Sequence, residues 1–180
     1  MPYRITELFE EASIKNRLSI NRITMTIIIN ILILLAAFVS MECVAWFAHK
    51  YIMHGFAWFL HKDHHQKKIE SFFEKNDFFF LVFAIPGILA LLFGCLYGID
   101  SLIMIGTGIT LYGFTYFFVH DIFIHRRIKI FKNSDSAYLR AIRKAHKMHH
   151  KHLDKHDGES FGMLWVSIKY FKEALKSNSK

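Results

Sequence analysis

The sequence predicts an all-α integral-membrane helical bundle, with about three to four membrane-embedded helices and a histidine-rich helical cap on the cytoplasmic side. Three observations predict it. Of 180 residues, 53% are apolar and 19 are Phe, and they lie in long runs with the charges pushed between and after them. That uneven placement belongs to a chain dissolved in lipid, not to a water-soluble core. The formal net charge is +8, with the basic residues gathered on a few connections. Ten of the twelve histidines stand in four short motifs beside or after the apolar runs.

Residues 1–22 are polar and mixed in charge, which predicts an exposed or surface-lying N-terminal arm. The arm is too long and too acidic for the leader of a signal peptide, and no small-residue cleavage site follows, so the apolar run behind it is expected to remain. The main domain is expected over residues 23–175, with 176–180 as a tail.

The first apolar run covers residues 23–48. As a helix it would reach about 39 Å at 1.5 Å per residue, more than the roughly 30 Å hydrocarbon core. One crossing is expected, with its end emerging into the interface near Trp46. The second run covers residues 78–99 and the third roughly 102–119, separated by little more than Asp100 and Ser101. So short a connection makes them an antiparallel hairpin. Pro86 and Gly87 suit a kink that membrane helices tolerate. Gly106, Gly108 and Gly113 predict close helix packing. Phe78, Phe79 and Phe80 are expected on the lipid-facing surface.

Lys and Arg set the orientation. Five lie between residues 50 and 75, fourteen from Arg126 onward and four in the arm, with none in the hairpin. The positive-inside rule therefore places residues 49–77 and 120–180 in the cytoplasm. Three crossings leave the N-terminus outside, and a further shallow segment would restore an even number. The basic run from Arg126 suits anionic lipid better than nucleic acid. Residues 161–175 place Phe161, Leu164, Trp165, Ile168, Phe171 and Leu175 at helical spacing, an amphipathic helix lying on the bilayer or capping the site. Cys43 and Cys95 fall inside apolar runs without paired spacing and are expected to be small buried hydrophobes. Nothing in their spacing suggests thiolate metal ligation or a disulfide framework, so imidazole is the expected ligand.

The histidine motifs are His49-x4-His54, His61-x2-His64-His65, His120-x4-His125 and His146-x2-His149-His150. On an α-helix i, i+3 and i+4 share a face, so each H-x-x-H-H box aims three imidazoles one way. Residues five apart lie about 140° apart at 3.6 residues per turn. His49 and His54, like His120 and His125, therefore suit either a ligand set shared between two metals or a helix end that unwinds, for instance at Gly55. The hairpin returns the chain to the side on which the first run ended, so all ten can meet at one membrane boundary. Ten imidazoles are too many for one ion and enough for two, and their donor character suits iron, zinc, copper or nickel. Asp63, Asp77, Asp121 and Glu159, with Glu70, Glu74 and Asp157, are candidates to accept the second ring N–H. His152 and His156 fit a solvated basic loop. None of the ten lies mid-helix, which argues against a metal transporter or a passive metal-binding membrane protein, and haem would need far fewer histidines.

Around these boxes the sequence closely resembles the bacterial non-haem β-carotene hydroxylases, within the wider fatty acid hydroxylase and sterol desaturase superfamily. The stretches that carry the resemblance are AHKYIMHGFAW (48–58), HKDHH (61–65), EKND (74–77), YGFTYFFVHDIFIHRR (112–127), AHKMHH (145–150) and ESFGML (159–164). It spans roughly residues 41–165. The resemblance implies that His49, His54, His61, His64, His65, His120, His125, His146, His149 and His150 ligate two iron ions. It implies a monooxygenase that hydroxylates carbon 3 of β-ionone rings with O2, taking β-carotene through β-cryptoxanthin to zeaxanthin. Electrons would come from a ferredoxin-type carrier, because the chain has no nicotinamide or flavin fingerprint and too few cysteines for an iron–sulfur cluster. The implied location is the bacterial inner membrane, with the site on its cytoplasmic face. Related chemistries, a carotenoid ketolase or a fatty acid or sterol hydroxylase or desaturase, share the histidine boxes and differ in product.

Overall fold

The computed structural model describes residues 2–66, 73–128 and 136–176. All regular structure among them is helical, and three helices are long and apolar enough to cross a membrane. The protein is an integral-membrane helical bundle.

Helix α1 runs from Pro2 to Phe47 without interruption. The polar arm and the first apolar run are thus one helix, because nothing between residues 3 and 47 breaks it: the stretch holds neither Pro nor Gly. From Ala48 to Phe56 the same helix continues in π-helical form. Its side chains from residue 9 to residue 40 are almost all exposed, many of them Ile and Leu. Only lipid makes such a surface favourable.

After a turn at Ala57, α2 (Trp58–His65) carries the second histidine motif. A 3-10 turn (Lys75–Asp77) leads into α3 (Phe78–Tyr97), which contains Pro86. Gly98 closes α3 in the left-handed region at φ 64°, where the Ile99 N–H reaches back to the Gly94 carbonyl. Asp100 then begins α4 (Asp100–Tyr116), so the turn is Gly98–Ile99 and the acid belongs to the first helical turn. Helix α4 also passes into a π-helical segment, Phe117–Ile124.

Helix α4 packs against both α1 and α3, and two of its glycines make that approach possible. A Cβ on Gly106 would come within 2.8 Å of the Leu91 backbone nitrogen in α3, and one on Gly108 within 2.6 Å of the Leu34 carbonyl in α1. Gly113, expected to pack in the same way, meets nothing within 4 Å and faces a cavity instead.

Outside the membrane, α5 (Ala137–His149) is capped by the Ser136 hydroxyl and buries Ala141, Ile142 and Ala145. Helix α6 (Ile168–Lys176) packs on it through Tyr170 and Ala174. The amphipathic helix expected over 161–175 therefore begins only at Ile168. Residues 159–167 run as an irregular strap, with the backbone donors of Met163, Leu164 and Trp165 taken by Glu42 of α1. Cys43 and Cys95 are exposed on the helix surface, not buried. Both lie on membrane-spanning helices whose outer faces meet lipid, where a small apolar residue needs no burial in protein.

Gly108→Ala should cost about 1–3 kcal/mol of stability by overpacking against backbone, whereas Gly113→Ala should be neutral or stabilising by up to about 1 kcal/mol. Thermal unfolding of the two variants in detergent checks the contrast.

Candidate metal centre

The two H-x-x-x-x-H motifs fall on the two π-helical segments, His49 and His54 inside the first, His120 inside the second and His125 at its C-cap. The i→i+5 hydrogen bonding of a π-helix sets residue i+5 one turn beyond residue i. It is visible here as the Ala57 N–H on the Ile52 carbonyl, 3.0 Å, and the His125 N–H on the His120 carbonyl, 2.9 Å. Rings that an α-helix would separate by about 140° come within 5.3 Å for His49 and His54 and 4.5 Å for His120 and His125, centre to centre. The expected unwinding thus takes the form of a π-helix. Gly55, with φ −103° and ψ −123°, supplies the kink that follows His54.

Nine of the ten motif histidines form two groups whose ligand atoms lie within 4.8 Å of one another: His49, His54, His61, His65 and His149 in one, and His64, His120, His125 and His146 in the other. The H-x-x-H-H boxes are split between them. His150 lies between the groups, its ring stacked on His65 at 4.4 Å and 4.6 Å from His64.

The ring orientations show what the groups suit. Carbonyl oxygens only accept, so an imidazole nitrogen bonded to one carries the proton. His49 Nδ1 donates to the Phe161 carbonyl (2.9 Å), His54 Nδ1 to Lys155 (3.3 Å), His65 Nδ1 to His152 (2.9 Å) and His149 Nδ1 to Glu159 (2.8 Å). His61 Nδ1 faces Asn76 Oδ1 at 2.6 Å, and His64 Nδ1 faces the Glu74 carboxylate at 2.7 Å. The Nε2 atoms of these rings are consequently bare lone pairs. Yet His49 and His61 bring their Nε2 atoms to 3.2 Å, and His54 and His149 to 3.1 Å. With both protons committed elsewhere these are not hydrogen bonds but opposed lone pairs. In the second group the Nε2 atoms of His64 and His120 stand 3.1 Å apart, and those of His125 and His146 2.9 Å. The Nε2 atoms of His65 and His150 are buried with no hydrogen-bond partner. Adjacent nitrogens bound to one ion at about 2.1 Å stand about 3 Å apart, so the residues fit two metal ions, one in each group.

Burial also keeps the rings neutral, as ligation requires. Among those beyond the membrane-spanning segments, desolvation lowers His61 to about 2, His149 to about 3 and His65 to about 4. His64, His146 and His150 are lowered for the same reason, reinforced by neighbouring imidazoles.

The acidic candidates take different places. Asp121 Oδ2 lies 3.4 Å from His120 Nδ1, while its Oδ1 accepts from Arg127 Nε at 3.0 Å. Asp77 bonds Arg127 and the Glu74 backbone, and Asp63 bonds the Lys75 backbone. Glu159 meets His149 through its carbonyl, and its carboxylate goes to Lys169 and Tyr170. Glu70 lies outside the described residues. Arg127 binds Glu74, Asp77 and Asp121 together. Burial opposes its charge, but these carboxylates hold its pKa above the ordinary arginine value.

Two contributors were not singled out from sequence. Asn76, buried, holds His61. Glu42, in the membrane part of α1, accepts from the backbone N–H groups of Met163, Leu164 and Trp165 (2.8, 2.9 and 2.9 Å) and from the Tyr112 hydroxyl (2.8 Å). It thereby pins the strap whose Phe161 and Glu159 carbonyls orient His49 and His149. The signal was present: an ionisable residue inside a membrane run is a functional candidate by default.

An apolar cavity of about 460 Å³ lies among α1, α3 and α4 and ends on His120 and Asp121. Phe79 and Phe80 line it, so of the three phenylalanines only Phe78 is confined to the outer surface.

A family model described as fatty acid hydroxylase matches residues 34–170. The chain is similar to a β-carotene hydroxylase of Pantoea ananas, 40% identical over 76% of this chain and 77% of that protein. A Paracoccus β-carotene hydroxylase is 34% identical over 82% of this chain and 91% of that protein. A chloroplastic β-carotene 3-hydroxylase of Gentiana lutea is 37% identical over 71% of this chain and 40% of that protein. No solved structure gives a significant match.

Glu42→Ala strands three backbone donors and the Tyr112 hydroxyl. At about 1–3 kcal/mol for a buried unsatisfied group, it should lower the unfolding temperature by several degrees. It should also weaken metal retention about 10- to 100-fold by releasing the acceptors of His49 and His149. Calorimetry in detergent and elemental analysis after dialysis measure the two effects.

Proposed function

We propose that this chain, which belongs to the fatty acid hydroxylase family and is an oxygenase of that family, is a β-carotene 3-hydroxylase working at a histidine-ligated di-iron centre. The reaction is O2-dependent hydroxylation of β-ionone rings, from β-carotene through β-cryptoxanthin to zeaxanthin. Curated β-carotene hydroxylases of bacteria and plants, similar to this chain at 34–40% identity, support the substrate. The observation that carries the reading is the join between the apolar cavity and the imidazole cluster at His120. A hydrocarbon substrate and a metal oxidant are what that join brings together.

The ten motif histidines would hold two iron ions, and the bound irons would activate O2 to attack an unactivated C–H bond, which acid–base side chains cannot do. The chain's own residues do the rest. Carbonyls of the 152–161 region, Asn76 and Glu74 hold the Nδ1–H bonds of six of these rings and so aim their Nε2 atoms inward. Phe79, Phe80, Phe83 and Phe117 line an entry from the membrane that admits a terminal ring and excludes water. At about 460 Å³ the cavity suits a ring end-group, with the polyene left in lipid.

Electrons would come from a ferredoxin-type carrier. Lys144, Lys147, Lys151 and Lys155 are exposed on and just after α5, the helix that carries His146 and His149. They offer an acidic partner a basic surface beside the centre. The distribution of Lys and Arg supports a cytoplasmic face of a bacterial inner membrane for this surface.

Expression in a β-carotene-accumulating host should yield β-cryptoxanthin and zeaxanthin. Ketocarotenoids, or unchanged carotenoids, would overturn the assignment. His64→Ala should remove both the hydroxylated products and bound iron, measured by chromatography and elemental analysis. With reduced ferredoxin as donor, turnover should fall several-fold between about 0.02 and 0.3 M salt as screening shortens the reach of the lysines, and a flat profile would exclude electrostatic docking.

A further inference from the structure

The two histidine groups differ in what stands behind them. Every Nδ1 of the five-histidine group meets a neutral acceptor: backbone carbonyls of Phe161, Lys155, His152 and Glu159, and the Asn76 side chain. In the four-histidine group His64 is backed by a carboxylate instead, and a second carboxylate stands 3.4 Å from His120 Nδ1. Glu74 accepts from His64 at 2.7 Å, Asp121 lies beside His120, and Arg127 ties Glu74, Asp77 and Asp121 into one part-buried network. A carboxylate acceptor makes the imidazole a stronger donor than a neutral acceptor does, so the two positions present different ligand fields.

They also differ in access. Of the motif histidines, only His120 lines the apolar cavity, with Asp121 next to it and the Tyr116 ring stacked on it at 4.9 Å. Asn76 and Phe79 line the cavity and contact His61, which itself does not reach it.

We infer that the two metal positions are functionally unequal: the four-histidine group, tuned by the Glu74–Arg127–Asp121 network, is the substrate-side position, and the five-histidine group is the remote one. Glu74 is then a positioning residue for one metal, and Asn76 for the other. This inference rests on the di-iron reading above. It adds which iron meets the substrate and which residues make that iron distinct.

The full-length protein in detergent, loaded with 57Fe(II), should show two Mössbauer signals of equal weight. Adding β-carotene should shift one of them. Glu74→Gln, which replaces the carboxylate at similar size, should lower iron affinity about 10- to 100-fold at that same position and leave the other loaded. Asn76→Asp, which places a carboxylate behind His61, should alter only the signal that β-carotene leaves in place. If Glu74→Gln fails to fold, the Asn76→Asp comparison still decides, because substrate and substitution must act on different signals. The inference is overturned if β-carotene shifts the Asn76→Asp signal, shifts both signals or shifts neither, or if Glu74→Gln weakens both positions alike. Failure to bind two irons overturns the di-iron reading itself, whereas two irons with the positions reversed overturns only this inference.

Discussion

Imidazoles buried with their bare nitrogens turned toward one another are unfavourable until a cation lies among them, and the rest of the chain is arranged to impose that state. Six of the nine grouped rings have Nδ1 committed to a carbonyl, amide or carboxylate oxygen. Each acceptor fixes a tautomer and an orientation at once, so the inward Nε2 atoms follow from the acceptors. His149 is 0% exposed and His120 2%, which leaves water no part in satisfying those lone pairs. The ring orientations are therefore preorganised by their surroundings.

Two backbone devices make the convergence possible. The π-helical segments turn a five-residue spacing into a single face at the ends of two membrane helices. The strap of residues 159–167 stays out of helix because Glu42 collects three consecutive backbone N–H groups from within α1. A carboxylate placed among apolar residues is costly unless fully bonded. Here the same four bonds that satisfy Glu42 also fasten the outer cap to the bundle, joining membrane helix, strap and histidine orientation in one unit.

The bundle itself is thin. Most side chains of α1, α3 and the outer face of α4 are exposed toward lipid, and the closest helix approaches are made at glycines, Gly106 and Gly108 of α4 and Gly94 of α3. Since lipid is as apolar as the side chains, packing and hydrogen bonds hold the helices together. A gap left where Gly113 meets nothing becomes the apolar cavity that leads to His120. The absence of a side chain at one α4 glycine thus opens access, while at two others it permits closeness.

The sequence by itself determined the class of the molecule. Three apolar runs give the three helices long and apolar enough to cross a membrane, and the four histidine motifs that follow them give the buried histidine cluster. Helix periodicity also showed that each H-x-x-H-H box has one face. Tertiary structure decided the rest. It converted the two H-x-x-x-x-H boxes into single-sided histidine pairs through π-helical turns, which no α-helical periodicity foretells. It split His64 from His61 and His65, its neighbours in sequence, between two histidine groups. It assigned the acceptors, choosing Glu74, Asn76 and backbone carbonyls over Asp63 and Asp77, and gave Glu42 its task. Such choices depend on which atoms a folded backbone brings within about 3 Å, and that distance is settled between segments as far apart as Glu42 and Met163, not within any one of them.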